Sequence, residues 1–122
     1  MEKKVKHTFS KEERLTKERE FKEVFNHGRS LGGSTVAFYF LPNSLGFPRA
    51  GFIVSKKVSK KAVERNRAKR LMREVFRLNK HRLKPYDIIF IARRGILGKK
   101  LQDVEKDFLN LAQRAGILKE KA

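Results

Sequence analysis

The chain has 122 residues, with 31 Lys or Arg against 13 Asp or Glu and a formal net charge of +18. That length fits a single domain, and 39% apolar residues with ten Phe supply enough hydrophobic mass for a core, which excludes a wholly disordered basic tail. The chain has no Cys and no long apolar run, so disulfides, thiolate chemistry and Cys-based zinc are excluded; neither a transmembrane helix nor a secretory signal is readable, and the expected compartment is the cytoplasm.

Residues 1–9 read as a loose basic arm. Ser10 and Glu13 have the spacing of a capping box, which predicts a helix running towards Asn26 and ending at Gly28. Phe21, Val24 and Phe25 form its apolar stripe at i, i+3, i+4. Ser30 to Ser34 reads as a small-residue turn, Val36 to Leu41 as an aromatic-rich strand closed by Pro42, and Arg49 to Ser55 as a second strand pairing antiparallel with it. A helical pattern without Gly or Pro runs from Lys60 to about Leu83, before Pro85. Tyr86 to Ala92 reads as a strand, because Ile88 to Ile91 is short and mostly β-branched. Arg93 to Lys100 is a basic loop containing Gly. Val104, Phe108, Leu111 and Ala115 mark a last amphipathic helix ending at Gly116, with a flexible tail from 117 to 122. These elements predict an α/β sandwich on one mostly antiparallel sheet.

A charge of this size favours a polyanionic partner, since Lys and Arg that neutralise phosphates release condensed counterions. The charge is also concentrated: residues 56–84 hold thirteen Lys or Arg and only two acids, Glu64 and Glu74. On a helix, Ala68, Leu71, Met72, Val75, Phe76 and Leu78 fall on one side, and Asn66, Lys69, Arg70, Arg73 and Arg77 fall opposite, flanked by Arg65 and Arg67. A charged helix ordinarily presents a solvated face of mixed sign. Two acids cannot compensate this ridge, so like charges such as Lys69 with Arg73 and Arg73 with Arg77 repel at i, i+4. Arg suits phosphates and base edges through its planar fork, and nucleic acid is the expected partner. Membrane-surface and calmodulin-type helices are also basic and amphipathic, but they carry a broader apolar side and do not sit between strands.

Ser55-Lys56-Lys57, then Ala62 to Arg70 with its Arg65-Asn66-Arg67 core, then Arg73-Glu74-Val75-Phe76-Arg77 resembles the signature of the protein component of bacterial ribonuclease P. Phe21 to Phe25 with Gly28 and Ser30, Arg49-Ala50-Gly51, and Asp87 to Arg93 extend the similarity over nearly the whole chain. Where the family often has Gly after the paired lysines, this chain has Ser59 and Lys60, so the turn there must be made differently. The resemblance implies one domain, a two-layer α/β (α+β) sandwich of three helices on about four strands in a mixed sheet, ribosomal-protein-S5-domain-2-like, in the order α-β-β-β-α-β-α. It also implies a left-handed crossover around the basic helix, against the general right-handed rule.

The same resemblance implies a subunit of the ribonucleoprotein endonuclease that removes the 5′ leader from precursor tRNA, with bond cleavage by the catalytic RNA and Mg²⁺ bound mainly by that RNA. Expected contacts to the catalytic RNA are Lys56, Lys57, Lys60, Lys61, Arg65, Asn66, Arg67, Lys69, Arg70, Arg73 and Arg77. The leader of the precursor tRNA is expected in a cleft with Phe21, Phe25, Tyr39 and Arg49; from spacing alone, Phe21 and Phe25 read as core, and only the resemblance turns them towards the leader. No catalytic residue, protein-borne metal site, membrane or obligate protein partner is expected. His7, His27 and His81 are scattered, and Asp103, Glu105 and Asp107 point around different sides of a helix. The alternatives are a ribosomal or other structural RNA-binding protein, and an autonomous nuclease, which would need clustered carboxylates or paired His.

Overall fold

The computed structural model describes residues 9–119. The Ser10–Glu13 capping box forms, the Ser10 N–H donating to the Glu13 carboxylate at 2.9 Å, but it caps only a 3-10 turn over Lys11–Glu13. The expected single helix is broken because Leu15 is buried and its N–H donates to the Ala50 carbonyl at 2.9 Å, which pulls the chain into an extended path. Helix α1 is therefore Glu18–His27. It ends where Gly28 passes so close to Phe40 that a Cβ would stand 2.8 Å from the Phe40 carbonyl oxygen.

Strands β1 (Arg29–Gly32), β2 (Val36–Pro42) and β3 (Arg49–Ile53) precede helix α2 (Ala62–Asn79), strand β4 (Tyr86–Ala92) and helix α3 (Leu101–Ala115). The order α-β-β-β-α-β-α is the expected one. Where residue patterning suggests a turn from Ser30, the chain first forms β1, an edge strand whose only half-buried residue is Leu31; without apolar alternation it has no strand signature. The sheet runs β1-β2-β4-β3, with β2 antiparallel to β1 and β4 and β3 parallel to β4. The expected β2–β3 antiparallel pair is thus corrected: β4 lies between them. Its Ile88, Ile89 and Phe90 are fully buried, and a strand apolar on both faces belongs in the centre.

Helices α2 and α3 pack on one sheet face against Val36, Phe38, Phe40, Ile88 and Phe90, where Phe90 and Phe108 stack at 4.8 Å. Helix α1 lies across the other face, with Leu15, Val24 and Ile89 buried among half-buried Phe21, Tyr39, Leu41, Ile53 and Ile91. Helix α2 is shorter than the sequence pattern suggests. Asn79 is buried and donates through Nδ2 to the Val75 carbonyl and to Glu105, both at 2.8 Å, and a 3-10 turn over Lys80–Arg82 follows.

Both chain-end expectations need adjustment. Residues 1–8 lie outside the described residues, but Phe9 is packed, edge-on to Phe52 at 5.7 Å and Phe76 at 5.5 Å. Gly116 caps α3 at φ 76°, the left-handed conformation that favours Gly. The expected tail nevertheless stays on the fold at first, since Ile117 is fully buried and Leu118 bridges Leu83; residues 120–122 lie outside the described residues. No described helix is long and apolar enough to cross a membrane.

Candidate nucleic-acid interface

Helix α2 buries Ala68, Met72, Val75 and Phe76 and exposes Asn66, Arg67, Lys69, Arg70 and Arg73. Leu71 and Leu78, expected on the buried side, are half-buried at its margin. The cations on the opposite side do not form one uniform ridge. Arg65 is half-buried and donates through Nη1 to the Ser59 carbonyl at 3.0 Å. Arg67 donates through Nη2 to the Lys99 carbonyl at 2.7 Å. Arg77 holds Glu74 through Nε at 2.9 Å and Nη2 at 2.7 Å. These bonds are the main reason the Glu74 carboxyl lies below its ordinary range, with the nearby Arg73 charge adding to the effect. The expected Arg73–Arg77 repulsion is therefore offset locally. Lys69, Arg70 and Arg73 point outward without such partners among the described residues.

The loop before α2 carries Lys56, Lys57, Lys60 and Lys61, all exposed. Its turn forms without Gly at Ser59: the Val58 N–H donates to the Ser55 carbonyl at 3.1 Å, and Val58 is buried. The Ser59 hydroxyl donates to Glu64 and accepts the Lys61 N–H at 3.1 Å. With Arg65 gripping the Ser59 carbonyl, this backbone is held by side chains of α2 itself, and the four lysines are left to project.

The aromatic side is split between two roles. Phe21 lies over Gly51, where a Cβ would stand 2.6 Å from the Phe21 Cζ. Phe25 and Tyr39 meet edge to face at 4.9 Å, and Phe25 keeps 38% of its surface exposed. Between the N-terminal segment and α2, an open cleft of about 300 Å³ is lined by Phe9, Arg14, Leu15, Phe21 and Phe52 together with Lys69 and Arg73. Aromatic rings and ridge cations thus share one depression. Arg49 is not on its floor. Its guanidinium donates through Nε at 2.9 Å and Nη2 at 2.7 Å to Asp87 and through Nη1 to Glu20, with the Arg49, Glu20 and Asp87 side chains 18%, 18% and 11% exposed. Asp87 hydrogen bonds are the chief reason the Arg49 pKa is raised. The structure places Arg49 as the joint between α1, β3 and β4.

The acids of α3 go to three separate partners. Asp103 accepts the Lys100 N–H at 2.9 Å, Glu105 accepts from Asn79, and Asp107 accepts the Thr35 N–H at 2.9 Å and hydroxyl at 2.6 Å. Asp107 also sits against Gly33, where a Cβ would be 2.4 Å from its Oδ1, so Gly33 and its neighbour Ser34 shape a buttressed turn. Among the described residues no group of three or more His, Cys, Asp or Glu could hold a metal ion.

The signal missed in the sequence is the loop 93–100. Arg94 donates through Nε to the Lys57 carbonyl at 3.1 Å, so two basic loops distant in sequence touch. Only the parallel pairing of β3 with β4 reveals this, and that pairing is not visible in residue periodicity.

Fold and surface together define a basic α/β sandwich of the RNA-binding class. The family model described as Ribonuclease P matches residues 9–116. A protein of Pelotomaculum thermopropionicum described as "Ribonuclease P protein component" is 44% identical over 104 residues, covering 84% of this chain and 92% of that one; one from Clostridioides difficile with the same description is 40% identical over 89% and 96%. Among solved structures, the Staphylococcus aureus RNase P protein is similar at a TM-score of 0.78 and 28% identity, covering 88% of this chain and 98% of that one. The Thermotoga maritima RNase P protein is similar at 0.74 and 34%, covering 84% and 96%. This chain belongs to the ribonuclease P protein family, and with it to tRNA processing through a ribonucleoprotein with an RNA partner.

Proposed function

We propose that the chain binds the catalytic RNA of ribonuclease P through the 55–61 loop and the outer face of α2, holds the 5′ leader of precursor tRNA along the α1 side of the sheet, and leaves bond cleavage to the RNA. The observation that carries this is an exposed cationic face that adjoins an aromatic-lined cleft. Lys56, Lys57, Lys60, Lys61, Asn66, Arg67, Lys69, Arg70 and Arg73 are exposed in one continuous stretch of chain, while Phe21, Phe25 and Tyr39 lie on the α1 side of the sheet, with Phe21 lining the cleft that Lys69 and Arg73 also line. Cations along a helix neutralise RNA phosphates, and exposed rings stack on bases with little sequence demand. Arg65 serves chiefly to hold the loop and Arg77 to hold Glu74, so their contribution to binding is smaller.

Mg²⁺ belongs to the RNA partner in this reading, because the acids of α3 are already engaged by Thr35, Asn79 and Lys100. The protein's part is electrostatic: it reduces repulsion between the catalytic RNA and precursor tRNA, and lowers the Mg²⁺ concentration needed. Its expected place of action is the cytoplasm.

Cleavage of precursor tRNA at low Mg²⁺ tests this. The protein alone should leave the substrate intact, and adding it to ribonuclease P RNA should restore correct 5′ processing. Tight RNA binding with no stimulation would instead identify a structural RNA-binding protein, and cleavage by protein alone would identify a nuclease.

A further inference from the structure

The parallel arrangement of β3 and β4 sends the chain out of both strands at the same end of the sheet. Residues 55–61 leave β3 there and residues 93–100 leave β4 there. Each loop carries four cations and no acid: Lys56, Lys57, Lys60 and Lys61 in the first, Arg93, Arg94, Lys99 and Lys100 in the second. All eight are exposed. Ligands of open α/β sheets gather outside the carboxyl ends of parallel strands because neighbouring loops converge there.

Both loops are built, not loose. The first is braced by Ser59, Glu64 and Arg65 as described above. In the second, Ile96 is buried, the Arg93 N–H donates to the Thr35 carbonyl at 2.9 Å, and Arg93 Nη1 donates to the Gly33 carbonyl at 2.9 Å. Gly95 passes so close to Ser34 that no Cβ could fit. Arg94 Nε then ties the second loop to the Lys57 carbonyl. A guanidinium has five N–H donors, so one bond sets the position of Arg94 and its Nη groups stay available among the described residues. The result is an open groove of about 700 Å³ walled by Lys56, Lys57 and Lys60 on one side and Arg94 on the other, with Val58 and Ser59 at its base. Arg93 extends it along β4. The acids of the adjoining elements, Glu64, Asp103 and Asp107, are held by Ser59, Lys100 and Thr35.

We propose that this groove is a second phosphate-binding surface for the catalytic RNA, receiving one stretch of sugar–phosphate backbone between the two loops, with Arg93 and Arg94 as contacts in addition to the α2 face. The inference rests on the function proposed above and deepens it. The occupant is the catalytic RNA because the 55–61 loop that walls the groove runs directly into α2 and Arg67 of α2 donates to the Lys99 carbonyl of the other loop, whereas Phe25 and Tyr39 lie on the α1 side of the sheet.

The test is the affinity of the full chain for ribonuclease P RNA as a function of salt, for the wild type, Arg93→Gln/Arg94→Gln, and Lys69→Gln/Arg70→Gln as a ridge control. Each lost phosphate contact flattens the slope of log K against log salt by about 0.7 to 0.9. Two lost contacts correspond to roughly 15- to 30-fold weaker binding at 0.15 M salt, with the affinity for a leader oligonucleotide unchanged. Lys56→Gln/Lys57→Gln, on the opposite wall, should reproduce the loss without touching the 93–100 backbone. Wild-type affinity and slope for Arg93→Gln/Arg94→Gln, with Lys56→Gln/Lys57→Gln and the ridge control both weakened, would overturn the groove and leave the proposed function standing. Equal losses for RNA and leader would assign the groove to substrate and overturn it as well. If the wild type itself binds no ribonuclease P RNA, the functional reading fails first.

Discussion

Replacing Arg49 by Met removes the cation from a site where two carboxylates are nearly out of water, since the Glu20 and Asp87 side chains are 18% and 11% exposed. Breaking a buried pair by deleting one partner costs about 3–5 kcal/mol, because the remaining charge is stranded. Here the lower end applies. Asp87 keeps the Asn43 Nδ2 donor at 2.9 Å, and Glu20 keeps the Lys17 and Thr16 N–H groups at 3.0 and 3.2 Å. A loss of about 3 kcal/mol in a domain of this size lowers the melting temperature by roughly 12 °C, readable by circular dichroism or urea denaturation. Arg49→Met/Asp87→Leu, which removes the more buried partner as well, should recover part of the loss. Affinity for a leader oligonucleotide, measured well below the melting point, should change little. An Arg49→Met protein with unchanged stability but weakened leader binding would refute the joint and return Arg49 to the cleft floor.

The acid response follows from Glu13 and Glu20. Burial opposes the charged form of each, but hydrogen bonds from Lys80 and Ser10 to Glu13, and from Lys17 and Arg49 to Glu20, outweigh it and hold both below the ordinary 4.5. A carboxyl depressed in the folded state contributes stability above its unfolded pKa and loses it as pH falls through the folded one. Stability should therefore drop on acidification below pH ~4.5. Lys80→Met, which strands Glu13, should be destabilised at neutral pH and converge on the wild type in acid; parallel urea curves at every pH would contradict this. Gly51→Val should displace Phe21, lower stability by about 1–3 kcal/mol through overpacking, and weaken leader binding more than catalytic-RNA binding. Equal effects on both would mean that Phe21 does not border the leader site.

Sequence reading located the elements whose signals are local. Strand β4 matches its expected bounds because four apolar residues between Asp87 and Ala92 admit little else, and α3 stops at Gly116 because the left-handed cap requires it. The buried and exposed sides of α2 follow from its period. Misplaced features depend on non-local partners. The Ser10–Glu13 box reads as the start of a long helix, and only the Leu15 N–H bonding to Ala50 across the fold breaks it. Strand β3 pairs with β4 instead of β2 because centrality is decided by which strand is apolar on both faces. Arg49 reads as an accessible cation, since nothing near it in sequence shows that Glu20 and Asp87 converge on it. For the same reason the eight loop cations look like two separate basic runs until parallel pairing joins them.

Excess Lys and Arg alone would not make a cationic surface if the acids were interspersed among them. In this chain eight of the acids are hydrogen-bonded by named partners: Glu13 by Lys80, Glu20 and Asp87 by Arg49, Glu64 by Ser59, Glu74 by Arg77, Asp103 by Lys100, Glu105 by Asn79 and Asp107 by Thr35. The exposed pairs Glu18–Lys22 and Glu23–His27 are both on α1, on the far side of the sheet from α2. Carboxylates that brace loops and joints are thus tied to partners of their own, all but Asp103 at half-buried or buried positions. A surface without interspersed acids concentrates the potential that draws a polyanion and sets how it docks. The same bonds that hold the 55–61 loop and the cleft in place also leave their cations uncompensated, so stability and recognition are served by one arrangement of charge.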